Sequence, residues 1–332
     1  MLREPVRIGV IGVGAMGLGH VNAYRANPRC ELVAVCDADA RWVEQARIEY
    51  GALYAFTDWE ALSACDEVDA VSVCLPTVFH APATIAALSA GKHVLCEKPM
   101  APNAAQARAM ADAARAAGMV LMIGYNQRLG GDIQWLRRAI EAGRLGEVYL
   151  VHTAWRRAMG VLPPAVATRP SGDTYNRNWF NERAMAGGVC TDLGSHIVDL
   201  GLYLMGFPRL TKVVGQAYTK FGPAAARGTT FDADDHSVGL AQFANGASMI
   251  IEASFGCYVE GETVCQAVYG DRGGARRESG QPLKLILPEG DGSVVSTPEI
   301  DVPTVSPMDH FIECLIEGKE PLIRPEEGVA VA

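Results

Sequence analysis

The sequence predicts an α/β fold in two parts: a doubly wound parallel sheet over residues 1–125, then an α+β domain with an open, mostly antiparallel sheet over residues 126–332. Three observations predict it. A chain of 332 residues exceeds what one hydrophobic core usually serves. Up to about residue 123, short apolar runs alternate with helical stretches, the pattern of parallel strands covered on both faces. Past Tyr125 that alternation stops, and strands begin to follow strands.

The runs VRIGVIG, ELVAVCD, DAVSVCLP, KHVLCEKP and VLMIGYN are rich in β-branched residues and predict five strands. Residues 15–26, 40–50, 81–90 and 103–117 predict the helices between them. A helix over 132–142 opens the second part, followed by the strand EVYLVHTAWRR and a polar, Pro-rich stretch reaching Arg183. Next comes GGVCTDLGSHIVDL, a helix whose Leu193, Ile197 and Leu200 form an apolar stripe with Asp192, His196 and Asp199 along one edge. The remainder predicts strands at TKVVGQAYT, HSVGLAQFA, ASMIIEASF, TVCQAVYG and LKLILP, with a loose loop at 224–227. Asn245-Gly246 between two alternating runs predicts a hairpin.

Bulk properties narrow the function. Hydrophobic residues make up 49% and charged residues 20%, the balance of a folded globular chain. A net charge of −9 disfavours nucleic acid and anionic membranes, leaving a small molecule as the expected partner. The nine cysteines contain no C-x-x-C pair, so neither a disulfide framework nor a zinc knuckle is expected. The start MLREPVRIGVIGVG lacks the apolar core of a signal peptide, and no apolar run approaches the roughly 18 residues of a membrane span. A cytoplasmic protein is the resulting expectation.

Gly12-Val13-Gly14-Ala15-Met16-Gly17 ends the first strand and opens the first helix. Glycines there permit a tight turn and bring a pyrophosphate against the helix N-terminus. Asp37, ending the second run, follows the last glycine by 20 residues, the spacing at which a carboxylate meets the adenosine ribose hydroxyls. Together they predict a Rossmann dinucleotide site. A 2′-phosphate beside Asp37 would be repelled by about 4 kcal/mol at about 4 Å in an effective dielectric near 20, so NAD is expected over NADP. Arg41 is the one nearby cation opposing this preference.

The GVGAMG turn, the Glu97-Lys98-Pro99 of GKHVLCEKPMA and GGVCTDLGSHIVDL together resemble the Gfo/Idh/MocA oxidoreductases, in the same order and over nearly the whole chain. The resemblance implies hydride transfer between a hydroxyl of a sugar or cyclitol and a nicotinamide, with Lys98, Asp192 and His196 as the catalytic set. It also implies cofactor contacts from Gly12, Gly14, Ala15, Met16, Gly17 and Asp37, and from a T-P-x-x-x-H-like loop made by Leu75, Pro76, Thr77 and His80. Leu75 stands where the family often has Thr. Glu97 and Lys98 are implied beside the cofactor, and the Lys98-Pro99 bond is cis in relatives. Family members pair into dimers or tetramers through the open sheet, and continue past a segment like Pro325-Glu326-Glu327-Gly328 into a long helix, where this sequence ends at Ala332.

The residues support that chemistry independently. Alcohol oxidation needs a base within about 3 Å of the hydroxyl oxygen, and imidazole titrates near neutrality. Asp192 lies one turn before His196, able to orient the ring or share the hydroxyl. Lys98 ends a strand and is suited to stabilise alkoxide character; either it or His196 is the formal base. Arg128, Trp155, Arg156 and Trp179, with Arg157 and Phe180 beside them, offer aromatic faces and guanidinium donors to a hydroxylated ring or a carboxylate. Asp199 is expected to make a structural hydrogen bond. A metal at Asp192, His196 and Asp199 would need His152, His236 or Asp235 as well, with no ligand-spaced cluster behind them, so none is expected. Two other functions fit the same motifs: glycoside cleavage through transient oxidation, and a non-catalytic sensor.

Overall fold

The computed structural model describes residues 1–159, 179–222 and 230–332, with the strands Val166–Thr168 and Thr174–Asn176. Most of the Pro-rich stretch and the loop at 224–227 lie outside the described residues.

The first sheet holds six parallel strands: β1 (Val6–Ile11), β2 (Cys30–Cys36), β3 (Tyr54–Phe56), β4 (Ala70–Val73), β5 (His93–Cys96) and β6 (Leu121–Ile123). Their order is β3-β2-β1-β4-β5-β6. Helices α1 (Ala15–Ala26), α2 (Ala40–Tyr50), α3 (Trp59–Ser63), α4 (His80–Ser89) and α5 (Ala104–Ala117) connect them. The sequence reading missed β3 and α3, which at three and five residues are too short to display a period. Helix starts are fixed locally: the Asp39 side chain accepts the Arg41 and Trp42 amides, and the Asn103 side chain those of Ala105 and Gln106. Because strand order reverses between β1 and β4, a crevice opens outside their carboxyl ends.

The second sheet is built after α6 (Gly131–Glu141) from β7 (Val148–Ala158) and, beyond the small pair β8 (Val166–Thr168) and β9 (Thr174–Asn176) and the helix α7 (Leu193–Met205), from seven more strands. These are β10 (Leu210–Tyr218), β11 (His236–Phe243), β12 (Ser248–Cys257), β13 (Thr263–Gly270), β14 (Gly273–Glu278), β15 (Lys284–Glu289) and β16 (Gly292–Ser296). The order is β10-β11-β12-β7-β13-β14-β15-β16, antiparallel except where β7 lies parallel to β12. The Asn245-Gly246 turn joins β11 to β12, as its sequence predicts. Helix α7 packs on β7 and β12, its Leu193 and Ile197 against Ala253 and Phe255. The opposite sheet face carries exposed Val214, Val238, Leu240, Ile250 and Tyr269.

Within residues 126–332, expected as the second domain, the last two helices pack back onto the first sheet and its helices. Helix α8 (Pro307–Glu317) returns to the first domain, where Phe311, Ile312 and Leu315 complete the core beneath the parallel sheet, and α9 (Pro325–Val331) packs on α5. The reason is the apolar stripe of α8, which finds its partner across a long loop that sequence separation conceals. Among the described residues, no helix is long and apolar enough to cross a membrane.

Candidate active site

The crevice between β1 and β4 is shaped by the glycine turn. A Cβ on Gly17 would stand 1.7 Å from the Gly12 carbonyl oxygen, so only glycine lets α1 start this close to the strand. Helix α1 has Gly14 as its N-cap, with no side-chain cap and no acid in its first turn. Its leading amides, including those of Ala15 and Met16, are therefore left for an anion. Asp37 closes the far side, its two oxygens accepting the amides of Val13 at 3.1 Å and Asp39 at 3.2 Å. An uncapped helix N-terminus facing a fixed carboxylate fits the pyrophosphate and ribose of NAD. Asp37→Ser is expected to shift the NAD-to-NADP ratio of kcat/KM toward NADP by about tenfold or more, because like-charge repulsion at the 2′-position is removed. Equal efficiency of the native protein with both cofactors would contradict this assignment.

Behind the crevice, three residues expected at the cofactor face inward. His80 is 1% exposed, with Nδ1 2.8 Å from the Pro99 carbonyl oxygen and Nε2 2.7 Å from that of Leu75. It thereby ties the Leu75-Pro76 loop to the Glu97-Lys98-Pro99 loop rather than reaching a ligand. Thr77 is fully buried on the same inner side. Glu97 turns to His20 of α1, Oε1 lying 3.0 Å from Nε2, while its Oε2 accepts the Lys98 amide at 3.1 Å. His20 Nδ1 in turn lies 3.0 Å from the Ser72 hydroxyl, which meets the Tyr24 hydroxyl at 2.7 Å. Burial works to raise the Glu97 carboxyl, but His20 and Lys98 outweigh it and hold the group below the ordinary carboxylate range. The Lys98-Pro99 bond is cis, as the resemblance implies.

Lys98, at the end of β5, meets the second domain directly: its Nζ lies 2.5 Å from Asp192 Oδ1, both side chains being 12% exposed. Asp192 is the N-cap of α7, and Ser195 Oγ donates to its carbonyl at 2.9 Å. The loop before it is held by Asp234, which sequence reasoning missed. Asp234 Oδ2 accepts the Cys190 amide at 2.8 Å, and a Cβ on Gly188, whose φ is +114°, would stand 2.2 Å from Asp234 Oδ1. The Gly187-Gly188 pair was the signal that something packs this closely.

His196, one turn into α7, is 8% exposed, and its Nδ1 has no hydrogen-bond partner among the described residues. Burial, then the positive charges of Lys98 and Arg157, hold its pKa well below 6.5, so the ring is neutral at neutral pH. The Trp155 ring lies 5.3 Å from it, and Arg157 sits over that indole at 5.6 Å. Glu262, also missed, anchors both: its Oε1 accepts from Trp155 Nε1 at 2.7 Å and from Arg157 Nε at 3.1 Å. With a base whose pKa is depressed, the acid limb of kcat/KM is expected below pH 6.5, and Arg157→Gln is expected to move it upward; a downward movement would remove His196 as the titrating base.

The other substrate contacts expected from sequence fall elsewhere. Successive strand residues face opposite sides of the sheet, so Trp155 faces α7 while Arg156 faces away, 3.5 Å from Glu252. Arg128 is fully buried, its Nε 2.8 Å from Asp199 Oδ2 and its Nη1 2.5 Å from Glu327 Oε2. It is a structural tie, and Asp199 is its partner, as a structural role for that carboxylate implied. Trp179 stacks on Phe180 with ring centroids 3.8 Å apart, and no described contact joins it to Lys98, Asp192 or His196. The metal alternative loses its ligands: Asp199 faces Arg128, His236 faces Glu252 on the far side of the sheet, and Asp235 accepts the amides of Lys220, Phe221 and Gly222. Among the described residues, no three His, Cys, Asp or Glu gather as a metal site.

The profile of an oxidoreductase family with an NAD-binding Rossmann fold matches residues 6–125, and the Gfo/Idh/MocA C-terminal domain profile matches residues 133–276. D-glucoside 3-dehydrogenase of Escherichia coli K12 is 32% identical over 284 residues, covering 83% of this chain and 78% of that one. Inositol 2-dehydrogenase of Rhizobium meliloti 1021 is 31% identical over 291 residues, covering 86% and 80%. A levoglucosan dehydrogenase solved with NADH superposes with a TM-score of 0.83 over 98% of this chain and 94% of that one; at 22% identity the likeness shows the fold. With both domains matched in order around an NAD-binding crevice, the chain belongs to the Gfo/Idh/MocA family of NAD-dependent oxidoreductases acting on CH–OH groups.

Proposed function

We propose that this protein transfers hydride between a secondary hydroxyl of a sugar, sugar derivative or cyclitol and NAD, at the cleft where Lys98 meets Asp192. The observation that carries the reading is that 2.5 Å ion pair, which joins the end of β5 to the start of α7 beside a buried, neutral imidazole. NAD, when bound, supplies the hydride acceptor. The proton is left to the chain. His196 takes it from the hydroxyl: burial keeps the imidazole neutral beforehand, so a ring nitrogen lone pair is free to accept the proton. The Lys98 ammonium stabilises the oxygen as it gains negative charge, and Asp192 holds that ammonium in place. Trp155 supplies a flat wall for a ring. The names of the glucoside and inositol relatives support a ring polyol as substrate. The uncovered sheet face, with Val214, Leu240 and Ile250 exposed, supports pairing of two copies into a dimer or tetramer.

The test is to incubate purified protein and NAD with cyclitols, aldoses, glycosides and sugar acids and follow NADH absorbance, alongside Lys98→Ala and His196→Ala. NADH is expected with at least one compound and lost in both variants. A protein that binds NAD but turns over nothing either substitution abolishes is not this dehydrogenase.

A further inference from the structure

A hydroxylated ring can enter the cleft neutral or carrying a carboxylate, and the two demand different charge. We propose that the cleft selects an uncharged polyhydroxy ring over a sugar acid, with Glu262 as the specificity-determining residue; the inference rests on the dehydrogenase reading above. Two cations act on His196: Lys98 and Arg157. Each already has a carboxylate of this chain within hydrogen-bond distance, Asp192 at 2.5 Å and Glu262 at 3.1 Å. Arginine recognises a substrate carboxylate through its fork of N–H donors. At Arg157 one of those donors, Nε, is committed to Glu262. A sugar acid would have to displace Glu262 or share the guanidinium with it as a second negative charge, which like-charge repulsion opposes.

For a neutral ring the same group is complementary. Glu262 reaches from the turn between β12 and β13 to β7, where its Oε1 accepts from both Trp155 and Arg157. This fixes the indole beside His196 and leaves the rim with an acceptor and a donor side by side, the pair a ring hydroxyl uses. The Arg157 and Glu262 side chains are 20% and 45% exposed, so the pair is reachable from the open side. Glu262 is thus both the support of the aromatic wall and the charge that neutralises its arginine.

The experiment compares kcat/KM, with NAD, for matched compounds that differ only in a carboxylate: a hexopyranoside and the corresponding hexuronide. The native protein is expected to favour the neutral member by about tenfold or more, and E262Q to shrink or invert that ratio by a similar factor as the uronide gains. E262D, which keeps the charge, is expected to retain the neutral preference. A native preference for the uronide, or a ratio unmoved by E262Q, overturns the proposal. If neither compound is oxidised, the dehydrogenase reading for this substrate class fails. The charge proposal is then decided by calorimetric binding of the same pair to the NADH-loaded native protein and E262Q, with the same ratios supporting or overturning it.

Discussion

Lys98→Met is expected to lower kcat by about 10²- to 10³-fold, the usual cost of removing one preorganised group that stabilises developing negative charge. The substitution keeps an unbranched apolar stem and removes the ammonium, so the change reports electrostatics more than packing. It also leaves Asp192, 12% exposed, without its partner across the domain boundary. Thermal unfolding is therefore measured alongside steady-state kinetics, to separate a loosened cleft from a lost charge. Asp192→Asn makes the distinction sharper. It retains a polar contact to Lys98 while removing the carboxylate that holds the ammonium, and its kcat is expected to fall between native and Lys98→Met. A Lys98→Met protein whose kcat stays within about threefold of native would remove Lys98 from the chemistry.

Arg128→Met is expected to destabilise the fold by about 3–5 kcal/mol, read from urea unfolding, because it leaves the buried Asp199 carboxylate without its cation and leaves Glu327 with Arg324 alone. Asp199 comes from α7 and Glu327 from α9, and both converge on a guanidinium that is 0% exposed. The ring faces of Tyr203 at 5.1 Å and Phe207 at 4.9 Å enclose the same cation. The loss is thus expected from both sides: an unpaired Asp199, and aromatic rings without the charge they pack on. Arg128→Met combined with Asp199→Leu and Glu327→Leu is expected to recover most of that stability, since replacing a whole buried ionic group by apolar side chains is often close to neutral. If the single substitution costs less than about 1 kcal/mol, the residue is not the tie between α7 and the first domain that its geometry describes.

Where the chemistry depends on consecutive residues, it was legible. The Gly12 to Gly17 turn, Asp37 and the Glu97-Lys98-Pro99 segment each sit at the end of a strand that announces itself by its own apolar run, so their placement follows from local pattern. The polar edge of α7 was visible for the same reason, as a period of 3.6 residues. The pattern set Asp199 apart as structural but could not name the partners: Asp192 meets Lys98, and Asp199 meets Arg128. Which neighbour faces each residue is a fact about packing between domains, and one helix cannot carry it.

The sequence by itself determined the fold class and the dinucleotide turn, because both are encoded in local pattern and spacing, and its resemblance to a family named the three residues proposed for catalysis. Only the tertiary structure decided that Arg156 faces away from His196 while Trp155 and Arg157 face toward it, since the direction of a strand's alternation is set by which side α7 covers. It alone decided that Arg128 is buried beneath the cleft, that the last two helices pack onto the first domain, and that Glu262 reaches back to Trp155. Those contacts join residues roughly 70 to 200 positions apart, and burial and pairing at such separations exist only once the two sheets have come together.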